Sequence, residues 1–72
     1  MTDPDVVRSI AANLRVLDGE DQLKALDSLT LIELVAALEE ATGLDLLGRP
    51  LQLEQFRTVE TVVALLERAR ST

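Results

Sequence analysis

Apolar residues recur along this chain at helical spacing, in three separate stretches. In the first, Val6, Val7, Ile10, Leu14 and Leu17 fall on one face. Asp3-Pro4 opens it, because an aspartate accepts from the free N–H groups of a first turn and proline suits the first helical position. Asp18-Gly19-Glu20-Asp21 closes it, with Gly19 available for the left-handed conformation past a helix end. The second stretch spans roughly 28–42 and stops at Gly43. The third sets Val59, Val62, Val63, Leu65, Leu66 and Ala69 on one side, with Thr58 as its cap. No segment reads as a strand.

The connections carry apolar residues too. Leu23 and Leu26 are expected to dip into the core. The stretch from Leu44 to Leu53 contains Gly48 and Pro50 yet holds five leucines, so it should pack onto the helices rather than lie free in solvent. A short helical turn near Glu54–Phe56 completes the pattern. Together these elements predict an all-α fold, a small bundle of three main helices plus a short fourth helical turn, in a single domain spanning 1–72.

Composition narrows the chemistry. The chain has no cysteine and no histidine, which excludes a thiolate nucleophile, an imidazole base and a Cys/His zinc site. A core in 72 residues is marginal and nothing staples it, so its aliphatic side chains must pack well. Thirteen acids against seven bases give a net charge of −6, which disfavours nucleic acid and anionic membrane surfaces and favours partners with basic patches. No signal-peptide pattern and no apolar run of spanning length is present, so a soluble cytoplasmic protein is expected.

Charge and hydrophobicity both concentrate on the second helix. At about 100° per residue, Leu31, Leu34, Val35, Leu38 and Thr42 form a core stripe. The opposite side holds Leu29, Ile32 and Ala36, with Glu33 and Glu40 among them and Glu39 at the edge. Between Ala25 and Gly48 there are five acids and no base. Such an apolar strip bordered by carboxylates is suited to docking a partner's hydrophobic groove rimmed by Arg or Lys. The other reading is that a loop covers Leu29, or that the helix is buried all round. Ser28 stands at the head of this strip. Ser28 or Asp27 could cap the helix, and Thr30 with Glu33 could form an alternative capping box. Without a histidine, Ser28 is no autonomous hydrolase nucleophile. Glu39 and Glu40 point about 100° apart and form no converging acid/base pair, and scattered acids make a poor metal site.

Leu26-Asp27-Ser28-Leu29, then Glu33-Leu34, Leu38-Glu39-Glu40 and Gly43, followed by Phe56-Arg57-Thr58-Val59-Glu60-Thr61-Val62, resemble the acyl carrier protein family and its peptidyl and aminoacyl relatives. The resemblance covers nearly the whole chain and implies the acyl-carrier four-helix bundle, a monomer and a carrier rather than an enzyme. It implies that Ser28 bears a 4′-phosphopantetheine arm, transferred from coenzyme A by a phosphopantetheinyl transferase, whose thiol holds acyl or aminoacyl groups as thioesters. Asp27, Leu29, Ile32, Glu33, Ala36, Glu39 and Glu40 would then meet the transferase, a loading enzyme and a downstream synthase or transferase. Ala25 stands where a glycine is frequent in the family, Thr30 where fatty-acid carriers often have an acid, and Thr42 where they often have a large aromatic. These departures favour a specialised pathway of the polyketide or nonribosomal peptide type over a housekeeping fatty-acid carrier. The rival is a helical interaction module in which Ser28 is only a cap. Met1 at the start and polar Ser71-Thr72 at the end favour a free-standing protein.

Overall fold

The computed structural model describes residues 2–71. Met1 and Thr72, the ends behind the expectation of a free-standing protein, lie outside the described residues. The elements are α1 (Asp3–Asn13), β1 (Leu17–Asp18), β2 (Gln22–Leu23), α2 (Ser28–Thr42), a 3-10 turn (Leu53–Phe56) and α3 (Val59–Ser71). α1 packs on both α2 and α3, and the 3-10 turn packs on α3. The core lies between them: Val7 from α1, Leu34, Val35 and Leu38 from α2, Phe56, and the inner face of α3. Leu46 joins it from the loop between α2 and the 3-10 turn, fully buried. Leu23, Leu26, Leu44 and Leu51 are half-buried against the same cluster. The leucine-rich loop therefore packs down in part only, since Leu47 and Leu53 remain 52% and 59% exposed. Among the described residues no helix is long and apolar enough to cross a membrane.

The ends of α3 and α2 follow their sequence signals. The Thr58 hydroxyl accepts from Thr61 N–H at 3.0 Å, and the Thr61 hydroxyl accepts from Thr58 N–H at 3.1 Å, a reciprocal cap. Gly43 ends α2 with φ +74°, its N–H donating to the Glu39 carbonyl at 2.8 Å.

The first third of the chain departs from expectation. α1 is capped by Thr2, whose hydroxyl accepts from Asp5 N–H, and Asp3 is the first helical residue. The Asp3 carboxylate instead receives the Arg70 guanidinium of α3 at 2.7 and 3.2 Å. α1 ends at Asn13, four residues short of Leu17. Arg15 turns the chain with φ +60°, and Val16 is buried from an extended segment rather than from a helix. Leu17 then pairs with Leu23, and Asp18 with Gln22, in a small antiparallel hairpin that the helical spacing of Leu14 and Leu17 had masked. Positive φ at Gly19 and Asp21 makes its turn.

The hairpin is tied on two sides. Arg8 of α1 holds the Asp21 carboxylate through both Nε and Nη2, at 2.6 and 2.8 Å. That pair holds the Asp21 carboxyl below the usual carboxylate range, and its exposure keeps its contribution small. The Asp21 carbonyl accepts from Val59 N–H, and Leu23 N–H donates to the Arg57 carbonyl, at 2.8 and 2.9 Å. The chain thus enters α2 from a segment anchored to the start of α3.

Candidate functional site

Asp27, not Ser28, caps α2. It has extended backbone (φ −82°, ψ +173°), and its Oδ1 accepts from Thr30 N–H at 2.8 Å. Ser28 is the first residue inside the helix. Glu33 takes no part in the cap, so the alternative Thr30–Glu33 box does not form. Ser28 is exposed, and its hydroxyl has no hydrogen-bond partner among the described residues. A free primary hydroxyl in the first turn, where N–H groups and the helix dipole favour an anion, fits a phosphodiester-linked group.

The Thr30 hydrogen bonds hold the Asp27 carboxyl below its ordinary value of 3.8. A depressed folded-state pKa contributes stability that is complete above the unfolded value and is lost as pH falls through the folded value. Below about pH 4 the wild-type melting temperature should therefore fall more steeply than that of Asp27→Asn, which keeps a capping side chain without a titrating group. Parallel slopes in circular-dichroism melts over that range would remove Asp27 from the acid sensitivity of the fold.

The outer side of α2 is open. Leu29 is 67% and Ile32 54% exposed, and Ala36, Glu33 and Glu40 are exposed beside them. At 100° per residue these positions occupy an arc about 100° wide. Leu31, Leu34, Val35 and Leu38 face the other way, with the last three buried. No loop covers Leu29, and α2 is not buried all round. Exposed leucine and isoleucine side by side in one strip are an unsatisfied apolar surface.

Glu39 takes a different place from the one expected of a docking carboxylate. Its Oε2 accepts from Leu46 N–H at 2.8 Å and from Leu47 N–H at 3.0 Å. This carboxylate lies at the edge of the strip and is turned onto the following loop, where it fixes the entry of Leu46 into the core. Of the acids on α2, Glu33 and Glu40 remain on the open face.

Sequence reasoning missed a groove at the foot of α2. One wall is the 23–26 segment, the other is Leu53, Phe56 and Arg57, and its volume is about 330 Å³. Its walls lie more than twenty residues apart in sequence, and the hairpin's bonds to Arg57 and Val59 bring them together.

The family model described as the phosphopantetheine attachment site matches residues 5–66, from the first turn of α1 to just past the middle of α3. No curated protein and no solved structure matches the chain. The match reaches into every element that forms the core and takes in the open face of α2, and on it the chain belongs to the phosphopantetheine attachment-site family, as a carrier that bears 4′-phosphopantetheine covalently and is not itself an enzyme.

Proposed function

We propose that Ser28 is the attachment residue and that the open strip of α2 is the surface presented to partner enzymes. The observation that carries the first part is the division of labour at the helix start. Asp27 caps α2, which leaves the Ser28 hydroxyl exposed and unengaged. When bound, the arm supplies a terminal thiol on which acyl or aminoacyl groups are carried. The chain's own residues supply the rest: α2 fixes the direction in which the hydroxyl points, and Asp27 keeps the first turn ordered. Leu29, Ile32 and Ala36 offer apolar area, with Glu33 and Glu40 as charged markers.

The strip is small, which suits weak, exchanging contacts with a transferase, a loading enzyme and a downstream synthase. Its charge is light as well, since Glu39 is engaged by the loop and Thr30 is uncharged. A lightly charged face with more apolar than acidic positions supports a dedicated carrier in a specialised polyketide or nonribosomal peptide type of pathway over a housekeeping fatty-acid carrier. In this design Leu29 and Ile32 govern the lifetime of a complex, and the rim acids govern encounter.

Intact mass after incubation with coenzyme A, Mg²⁺ and a promiscuous phosphopantetheinyl transferase tests the assignment. A gain of one phosphopantetheinyl group, mapped by peptide mass to Ser28, is expected, and modification elsewhere would overturn it. Glu33→Lys should slow that reaction by about tenfold, with a salt dependence weaker than wild type, because it reverses a charge on the face that steers encounter. Unchanged transferase kinetics with an unchanged helix signal would exclude the outer face of α2 as the docking surface.

A further inference from the structure

The groove at the foot of α2 is lined by apolar and cationic residues alone. Leu23, Leu26, Leu53 and Phe56 give it an apolar lining, and Lys24 and Arg57 stand among them. No carboxylate lines it, although the chain carries thirteen acids and a net charge of −6. Inside the chain Arg8 is matched by Asp21 and Arg70 by Asp3, whereas Arg15 is unmatched among the described residues but lies outside the groove. Lys24 and Arg57 have no ion pair and no side-chain hydrogen bond among the described residues. Leu53 lies at the groove 59% exposed, a large apolar side chain with no cover.

The groove also lies beside Ser28. Leu26 belongs to its wall, and two residues of chain span at most about 7 Å. A concave site that is mostly apolar with a few converging polar groups is the ordinary form of a small-molecule pocket. Two unmatched cations among aliphatic and aromatic side chains call for an apolar chain that ends in an anion.

Resting on the assignment of Ser28 above, we propose that this groove receives the far end of the carried group and favours an acyl chain terminating in a carboxylate. The methylenes lie against Leu23, Leu26, Leu53 and Phe56, and the carboxylate reaches Lys24 and Arg57. Arg57 offers the planar fork that matches a carboxylate, and Lys24 adds a point charge. Tethering at Ser28 makes the contact intramolecular, so a weak site is occupied at high effective concentration. A neutral chain of equal length gains only the apolar part.

The test compares cargoes that differ at one end. The transferase loads the protein from octanoyl- or suberyl-coenzyme A, forming the Ser28 phosphodiester as adenosine 3′,5′-bisphosphate leaves. The two cargoes differ only in a terminal methyl or carboxylate, and coenzyme A itself gives the unacylated arm as reference. Intact mass establishes loading first. The readouts are backbone amide NMR shifts and the melting temperature. The suberyl form should shift the amides of Lys24, Ala25, Leu26 and Phe56 beyond the octanoyl form and raise the melting temperature by about 4 °C. The Lys24→Gln/Arg57→Gln variant should load equally well, lose at least half of the suberyl shift and leave the octanoyl shift unchanged. Equal shifts from both cargoes, or a suberyl shift indifferent to the variant, would overturn the preference for an anion. Full shifts from the unacylated arm would assign the cations to the arm's phosphate and overturn it as well. Absence of any groove shift in a fully loaded protein would leave the cargo in solvent and refute the groove alone, whereas failure to gain mass at Ser28 would refute the attachment assignment and this inference with it.

Discussion

Ser28→Ala is expected to abolish phosphopantetheinylation completely while changing the stability of the fold by no more than about 0.5 kcal/mol. The first half follows because alanine has no hydroxyl to accept the group. The second half follows from the cap. Asp27 already satisfies Thr30 N–H, and the Ser28 hydroxyl bonds to nothing among the described residues. Alanine, moreover, is a good helix former. Had Ser28 been the cap of α2, its replacement would cost about 1 kcal/mol. Mass spectrometry and urea unfolding of one variant therefore separate an attachment serine from one that is only a cap. Loss of modification with an unchanged unfolding midpoint supports Ser28 as the attachment residue. A modified Ser28→Ala protein would move the attachment to another hydroxyl, and a drop of about 1 kcal/mol would restore a structural role to Ser28.

What could be read from the sequence was what periodicity and end signals encode. α2 and α3 carry unbroken 3.6-residue patterns closed by Gly43 and opened by Thr58, and both form with those boundaries. α1 misled because Leu14 and Leu17 continue its spacing by coincidence. The chain leaves the helix at Asn13, and Arg15 takes a left-handed conformation that nothing in an arginine signals. Asp18-Gly19 is a hairpin turn signal, but strands of two residues are too short to show alternation. At the site, the outer strip of α2 was legible because a helix face is a local property. Which acids remain free on it was not. Glu39 is drawn off by amides seven and eight residues away, a contact that depends on how the loop folds back. The groove was invisible for the same reason, since its walls are distant in sequence and meet only through the hairpin's bonds to the start of α3.

That loop carries the other large expected effect. Leu46→Ala should destabilise the protein by about 2–5 kcal/mol, as for a core leucine, although Leu46 belongs to no helix. Leu46 is fully buried among residues of α2 and α3, so its truncation removes apolar contact and leaves a cavity. At roughly 0.05–0.15 kcal/mol per residue, a 72-residue domain has about 4–11 kcal/mol in total, so the loss approaches the margin of the fold. Leu47→Ala is the internal control. Its amide is held by the same Glu39 oxygen, yet its side chain is 52% exposed, and the expected change is within about 0.5 kcal/mol. With a urea slope of about 1 kcal/mol/M for so small a chain, the midpoint of Leu46→Ala should fall by roughly 2 M or more and that of Leu47→Ala by under about 0.5 M. Because Leu46 and Leu47 share their backbone anchor, the difference isolates burial from loop tethering. Equal midpoints for the two variants would mean that the Glu39 clasp, and not Leu46, closes the core at the end of α2.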